Sequence, residues 1–512
     1  MRIGLDVGGT NTDAALMDGS RLVAQAKQPT TPDVTSGIMA ALKAVLRDVR
    51  DTSRIKSIML GTTHFTNALL ERRDLAETAI VRICLPATRL LPPLVDWPEP
   101  LKKAIGAHSY MVHGGHEFDG REISPLDEEE TRNTVKELRE KGVKAVALSG
   151  VFSPVDPSHE ELVANIVREE APEMSVTLSH EIGRIGILER ENAAALNACL
   201  SEVARRTIGS LEEAVKALGL EAGFYLSQND GTIMDADYAK RFPVFTIASG
   251  PTNSMRGAAS LSGISDGIVL DIGGTTTDGG ALVGGFPREA SVSIEIAGVR
   301  TNFRMPDVLS IALGGGSVVR REPLRIGPDS VGYRLIEEGL AFGGATLTTT
   351  DIAIASGLTG IGDPDSVRGI EPALIEEAQS QVKGMLEAVV DQLKLSAAPV
   401  PVVLVGGGSI LVRDSLDGAS EVIRPEHGDV ANAIGAAMAQ VGGQVEKAYS
   451  LADVTRQEAL DECRSEAIEK AIAAGADPET VVVVEVEEIP MTYLPSNATR
   501  VRVKAVGDLK DA

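Results

Sequence analysis

Two periods of hydrophobicity alternate along the chain. Short apolar runs of strand length recur at 3–5, 22–26, 57–60, 143–148, 176–178, 223–226, 268–270, 310–313 and 402–405. Between them, Ile38, Ala41, Leu42, Val45, Leu46 and Val49 follow helical spacing. Residues 66–73, 127–140, 189–218, 429–440 and 461–473 read as further helices, and Asp156-Pro157-Ser158 opens another. The stretch 189–218 is Ala- and Leu-rich, long enough to bridge two parts of the molecule. Two Val-rich strands, 481–486 and 501–506, close the pattern. Strands alternating with helices predict a parallel α/β architecture. Residues 86–125, rich in Pro, Gly and His, interrupt it and are expected to form an irregular insertion.

Length and composition narrow the class. At 512 residues the chain exceeds one ordinary core, so two or three domains are expected. No apolar run is long enough to span a bilayer. Met1-Arg2 leads directly into a strand pattern, so no signal peptide is expected and the cytoplasm is the expected compartment. Cys84, Cys199 and Cys463 lie far apart without a C-x-x-C, which argues against a disulfide framework, a zinc ribbon or an iron–sulfur cluster. A net charge of −24 opposes the phosphate neutralisation on which non-specific nucleic-acid binding depends. Aromatic residues at 3% also leave few stacking platforms.

One eight-residue motif occurs twice, 265 residues apart: Asp6-Val7-Gly8-Gly9-Thr10-Asn11-Thr12-Asp13 and Asp271-Ile272-Gly273-Gly274-Thr275-Thr276-Thr277-Asp278. Each follows an apolar run and leads into small and apolar residues, predicting strand, tight turn and returning strand. A glycine pair lets backbone N–H groups approach an anion closely. The flanking Asp would be repelled by phosphate unless a hard cation such as Mg²⁺ lay between them. Threonine hydroxyls add hydrogen bonds, and two such hairpins would grip a polyphosphate from both sides. Neither a Walker motif nor a strand–G-x-G-x-x-G–helix is present, so any phosphate site is of another kind. Gly61-Thr62-Thr63-His64, between a strand and a helix, is a further anion or substrate position, or an ordinary turn. His108, His113 and His116 with Glu117 and Asp119 invite a metal reading, but their spacing fits no standard zinc pattern and a polar loop is expected.

The duplicated hairpin resembles the two phosphate motifs of the actin, sugar-kinase and heat-shock-protein ATPase superfamily. That resemblance implies two ribonuclease-H-like α/β lobes closing over Mg-ATP. On this basis residues 1–188 form the first lobe, 189–445 the second and 446–512 a small C-terminal α/β appendage. Gly406-Gly407-Gly408, after the strand at 402–405 and ahead of Ala431-Asn432-Ala433-Ile434-Gly435, stands in the order expected for an adenosine loop. Further motifs occur in order: Gly61-Thr62-Thr63 with Thr66-Asn67-Ala68-Leu69-Leu70-Glu71-Arg72, Val151-Phe152-Ser153 with Pro157-Ser158-His159-Glu160, Ser249-Gly250-Pro251 as a turn, and Gly314-Gly315-Gly316-Ser317. Together they resemble the hydantoinase A / 5-oxoprolinase family across roughly residues 1–445.

The resemblance implies an ATP-dependent hydrolase that phosphorylates the carbonyl oxygen of a cyclic amide or related carbonyl substrate for ring opening. A separately encoded second subunit and an oligomeric assembly are expected with it. Asp6 and Asp271 would hold Mg²⁺. Gly8, Gly9, Thr10, Asn11 and Thr12 would cradle phosphate with Gly273, Gly274, Thr275 and Thr276. Gly314, Gly315 and Gly316, then Gly406, Gly407, Gly408 and Asn432, would complete the nucleotide site. Asp13 and Asp278 are candidates for a base or for hairpin stabilisation. One departure stands out: the Gly-Pro-Ala-Cys-Tyr-Gly type segment of longer members is replaced by Gly327-Pro328-Asp329-Ser330-Val331-Gly332. This leaves the substrate open. A small-molecule kinase, a carboxylase-type subunit and an ATP-driven switch gating a partner protein remain alternatives.

Overall fold

Each glycine hairpin forms, and each seeds a sheet. In the computed structural model, all residues are described except 10, 32–33, 291–293, 414, 453, 492–497 and 511–512. The strand Arg2–Val7 pairs antiparallel with Asn11–Asp18, which pairs antiparallel with Arg21–Pro29. On its other side it runs parallel to Ser57–Thr62, itself parallel to Gly223–Ser227. The second sheet repeats this order and these directions. Gly267–Ile272 pairs antiparallel with Thr277–Val283 and then Phe286–Pro287; on its other side lie Val400–Val405 and Ala419–Ile423, both parallel. The central strands are apolar on both faces because helices cover both sides, as expected where neighbouring strands are parallel.

Two helices join the sheets, Ser249–Ser262 and Ala431–Met438. They meet backbone to backbone. A Cβ on Gly257 would lie 1.8 Å from the Ala431 carbonyl oxygen, and one on Gly435 would lie 1.9 Å from that of Asn253. Gly4 gives the second helix the same clearance, since a Cβ there would lie 1.9 Å from the Ala433 carbonyl oxygen. Only glycine permits this approach. Ser249-Gly250-Pro251, expected to be a turn, is instead the first turn of the helix, where proline's missing N–H leaves no bond unmade.

The first sheet has nine strands and draws on the whole chain. Beyond Gly223–Ser227 it continues through Thr232–Asp235, Gln440–Tyr449, Thr499–Gly507 and Val482–Pro490. The boundaries expected at 188 and 445 therefore cut through this sheet, and residues 446–512 extend it rather than hang from it. The helix Arg456–Ala473 packs on these last strands through Cys463, Ala467 and Ala471.

A separate four-stranded parallel sheet orders His108–His113, Thr78–Leu85, Ala145–Gly150 and Ser175–Leu178. It includes part of the stretch expected to be irregular. Residues 86–125 contain the helix Glu99–Ala104 and this sheet's edge strand, each only six residues long and hidden in sequence by flanking Pro and Gly. The helix Ile187–Ala217 packs against this sheet, and a buried ion pair joins them. Arg82 donates to both Glu191 carboxylate oxygens at 2.7 and 2.6 Å. Among the described residues, no helix is long and apolar enough to cross a membrane.

Candidate active site

The two hairpin tips are closed by the same bond. Gly8 N–H donates to the Asn11 carbonyl at 3.0 Å, and Gly273 N–H donates to that of Thr276 at 2.9 Å. Gly9, Gly274 and Thr275 stand at the tips, and a Cβ on Gly9 would meet nothing within 4 Å. Thr10 lies outside the described residues. Thr12 is buried, with its hydroxyl 3.5 Å from that of Thr30, whereas Thr276 is exposed.

The register sets Asp6 directly opposite Asp13, and Asp271 directly opposite Asp278. Carboxylates opposed across an antiparallel pair share one face and repel, an arrangement that destabilises a sheet on its own. Here it occurs twice. Asp6 is 5% exposed, and its pKa is pushed up to about 7, first by burial and then by Asp13 and Asp271, against the hydrogen bonds of Asn253 and Asn432. Burial and the charges of Asp278 and Asp13 push Asp271 up to about 6, against the hydrogen bond of Ser254 and the charge of Lys27. Burial also raises Asp278, opposed by a hydrogen bond from Ser310. These four side chains form one acidic cleft between the sheets.

The two joining helices orient these carboxylates. Asn253 Nδ2 donates to Asp6 Oδ1 at 3.1 Å, and Ser254 Oγ donates to Asp271 Oδ2 at 2.5 Å. Asn432 Nδ2 donates to Asp6 Oδ2 at 3.1 Å and to Asp13 Oδ2 at 2.9 Å. Lys27 Nζ lies 3.0 Å from Asp13 Oδ1. Asn432 thus stands with the carboxylates. Asn253, Ser254, Lys27 and Gly61 were not singled out for this cleft from sequence. The available signal was an Asn within a helical run of small residues, as in Ala431-Asn432-Ala433 and Thr252-Asn253-Ser254. Gly61 matters because a Cβ there would lie 2.2 Å from both Asn253 Nδ2 and Asp6 Oδ1.

The glycine triplets differ in what they face. Gly315 and Gly316 donate to the Gly273 and Gly274 carbonyls at 2.9 and 2.8 Å, and Gly314 donates to Ser317 Oγ at 2.9 Å. All three N–H groups are engaged, so Gly314, Gly315 and Gly316 buttress the second hairpin from behind rather than offer donors to a ligand. Gly406, at φ +80°, packs where a Cβ would lie 2.4 Å from Asp271 Oδ1, and a Cβ on Gly408 would lie 2.6 Å from Ile272 Cγ2. Gly407 faces open space, with nothing within 4 Å of its Cβ position.

The histidines of the 86–125 stretch do not converge as a group. His108 pairs with Glu77 at 2.9 Å and His113 with Glu130 at 3.0 Å, while Asp119 pairs with Arg121. His116 instead meets His159 and Glu122, with ligand atoms within 4.8 Å of one another. His159 Nδ1 accepts the Gly115 N–H at 3.0 Å, which puts the ring proton on Nε2, towards Glu122. A metal ligand has the opposite need, a free Nε2 with Nδ1 donating. The trio does not fit a metal.

A mixed α/β protein with an acidic cleft between two glycine hairpins is the class that fold and site define. Residues 2–171 match the family described as Hydantoinase/oxoprolinase N-terminal region, and residues 190–360 match Hydantoinase/oxoprolinase. The chain belongs to the hydantoinase/oxoprolinase family. It is 29% identical to the acetophenone carboxylase gamma subunit of Aromatoleum aromaticum over 72% of this chain and 54% of that protein. It is 27% identical to the caprolactamase subunit alpha of Pseudomonas jessenii over 74% of this chain and 58% of that protein. The chain thus spans little more than half the length of these relatives. The solved structure of the ATP-dependent caprolactamase from P. jessenii shares the fold at a TM-score of 0.75 and 20% identity, covering 100% of this chain and 88% of that one.

Proposed function

We propose that this chain is the ATP-binding part of an ATP-dependent enzyme that activates the carbonyl of a cyclic amide by phosphorylation for ring opening. The observation that carries this reading is the doubled hairpin, with its opposed carboxylates in one cleft. In it the two sheets act as ribonuclease-H-like lobes of the actin-like ATPase kind. Nucleotide phosphates lie between the tips at Gly8–Gly9 and Gly273–Gly274, where backbone N–H groups cradle them without side-chain interference.

The residues present fit a hard divalent cation: buried carboxylates that raise one another's pKa lack a compensating charge. No three carboxylate oxygens of Asp6, Asp13, Asp271 and Asp278 come within 4.8 Å of one another, which suits an ion held largely through water. Asp6 and Asp271 would hold Mg²⁺, which would neutralise the polyphosphate charge. Asn253 and Asn432 fix Asp6, and Ser254 fixes Asp271, so both carboxylates are oriented before nucleotide arrives. Phosphoryl transfer then depends on alignment and charge neutralisation. Asp13, held by Lys27 and Asn432, stabilises its hairpin. Asp278 is the better placed of the two to take a proton. Gly407, open at its Cβ position, is where the adenosine packs.

Names of relatives as subunits, and the shorter span of this chain, support a second subunit that completes hydrolysis. A carboxylase-type reaction is the second reading, favoured by the likeness to the acetophenone carboxylase subunit. Phosphate release from ATP, screened with lactams, hydantoins and small ketones, with and without neighbouring-gene products, separates them. Lactam-stimulated release supports ring opening. Stimulation by ketones with bicarbonate supports carboxylation, and a stable phospho-compound would replace both with a kinase.

A further inference from the structure

Away from the acidic cleft lies a cavity of about 690 Å³, within the range of small-molecule sites. It opens among the strands Gly223–Ser227, Thr232–Asp235 and Gln440–Tyr449 and the segment that follows the four-stranded sheet. Tyr238, Phe242, Phe245 and Phe303 contribute to its lining, with adjacent ring centroids 4.7, 5.7 and 6.2 Å apart. Four of the chain's few aromatic side chains meet here. Its basic lining residues outnumber the acidic ones, the reverse of a chain whose net charge is −24.

Two features of the polar lining point to an oxygen-bearing occupant. Arg304 Nη1 and Nη2 make no hydrogen bond among the described residues; their carboxylate neighbours, Asp230 and Glu485, stand off at 3.9 and 3.7 Å. Arg184 Nε is in the same state, 3.6 Å from Glu446. Buried donors of this kind are normally matched by acceptors. The second feature is His180. Its Nδ1 lies 2.7 Å from Oε2 of the fully buried Glu160, which also accepts from Gly150 N–H at 2.7 Å and Ser179 Oγ at 2.6 Å. Those donors keep Glu160 ionised, so His180 Nδ1 donates to it and Nε2 is left for the cavity that His180 lines. The cavity also adjoins the cleft. Gln228, in its lining, accepts from Thr252 Oγ1 at 3.3 Å, and the next residue is Asn253, which holds Asp6.

We propose that this cavity binds the substrate, a small ring-bodied organic carboxylate. Arg304 and Arg184 meet its carboxylate, His180 Nε2 meets a second oxygen, and the aromatic side chains hold the ring. His180 is a substrate-contacting residue and Glu160 positions it. This inference rests on the proposed function for the identity of the compound as substrate, but not for its binding.

Calorimetry on the full chain tests it with 5-oxoproline, hydantoin-5-carboxylate and benzoate as probes, and with 2-pyrrolidinone as the ring without its carboxylate. At least one carboxylate is expected to bind at or below millimolar concentration, with 2-pyrrolidinone at least tenfold weaker than 5-oxoproline. His180→Gln and Tyr238→Ala should each weaken the bound carboxylate tenfold or more without changing the Kd for ATP; Tyr238 is 41% exposed, so its truncation leaves the core intact. Asp271→Asn should do the reverse. Retained ATP binding with no carboxylate bound, or carboxylate binding lost in Asp271→Asn and kept in both cavity variants, overturns the cavity proposal. Carboxylate binding that follows the cavity variants in a protein that binds no nucleotide overturns the proposed function and leaves the cavity site standing.

Discussion

Replacing Gly61 with Ala adds one methyl group and tests whether Asp6 must be held where it is. The new Cβ would fall 2.2 Å from Asp6 Oδ1 and from Asn253 Nδ2, whereas ordinary contact begins at 3.4 Å. One partner must therefore move by about 1 Å, and the 3.1 Å bond between them breaks. A hydrogen bond to a charged group contributes roughly 1.5–3 kcal/mol. Displacing a catalytic group by 1 Å costs on the order of a hundredfold in rate. The opposing effect is small: Ala in a strand interior is favoured over Gly by roughly 0.5–1 kcal/mol. Gly61→Ala should therefore lower kcat/KM for ATP hydrolysis about a hundredfold, with a modest fall in Tm and an unchanged circular dichroism spectrum. Steady-state ATPase assays and thermal melts read both quantities. ATPase activity within twofold of wild type, with equal or higher Tm, would refute the claim that Asn253 and Asp6 form a fixed pair.

Three further outcomes follow from the same geometry. Asp6 has a folded pKa of about 7 against 3.8 for the ordinary group, so the folded state binds the extra proton between those values and loses stability as pH rises through them. The nucleotide-free Tm should fall from pH 5 to pH 8 more steeply in wild type than in Asp6→Asn, a difference that cancels the histidines common to both; equal slopes would count against the buried charge. Added Mg²⁺ should raise the wild-type Tm more at pH 8 than at pH 5, since both carboxylates are then ionised, and a pH-independent effect would place the ion elsewhere. Gly407→Val should raise the Kd for ATP and adenosine alike, whereas Gly9→Val should chiefly weaken ATP; equal losses in both variants at unchanged Tm would mean that the adenosine lies elsewhere.

What could be read from sequence was what sits close together in it. The hairpins were legible because strand, glycine turn and both carboxylates fit within eight residues, and the count between Asp6 and Asp13 sets them in register. Asn253 was not legible in the same way, since its partner Asp6 lies 247 residues away. Gly314–Gly316 resembles a ligand loop in composition, yet its N–H groups are taken by Gly273, Gly274 and Ser317, a fact fixed only by tertiary contact. The C-terminal strands looked detached because their pairing partner, Gln440–Tyr449, is joined to Thr232–Asp235 across two hundred residues of chain. His116 finds His159 rather than its neighbours His108 and His113, because strand His108–His113 carries those two to other carboxylates.

The central claim is that the doubled hairpin holds a metal–nucleotide complex between its carboxylates. Calorimetric titration of ATP into wild type and Asp271→Asn, each with and without Mg²⁺, tests it most directly. Asp271→Asn removes charge at nearly constant size, and the Ser254 bond gives the variant a reason to stay folded. Wild type should bind ATP more tightly with Mg²⁺ than without it, and Asp271→Asn should lose most of that Mg²⁺ dependence. No binding by wild type at millimolar nucleotide, or an equal Mg²⁺ effect in both proteins, would contradict the account.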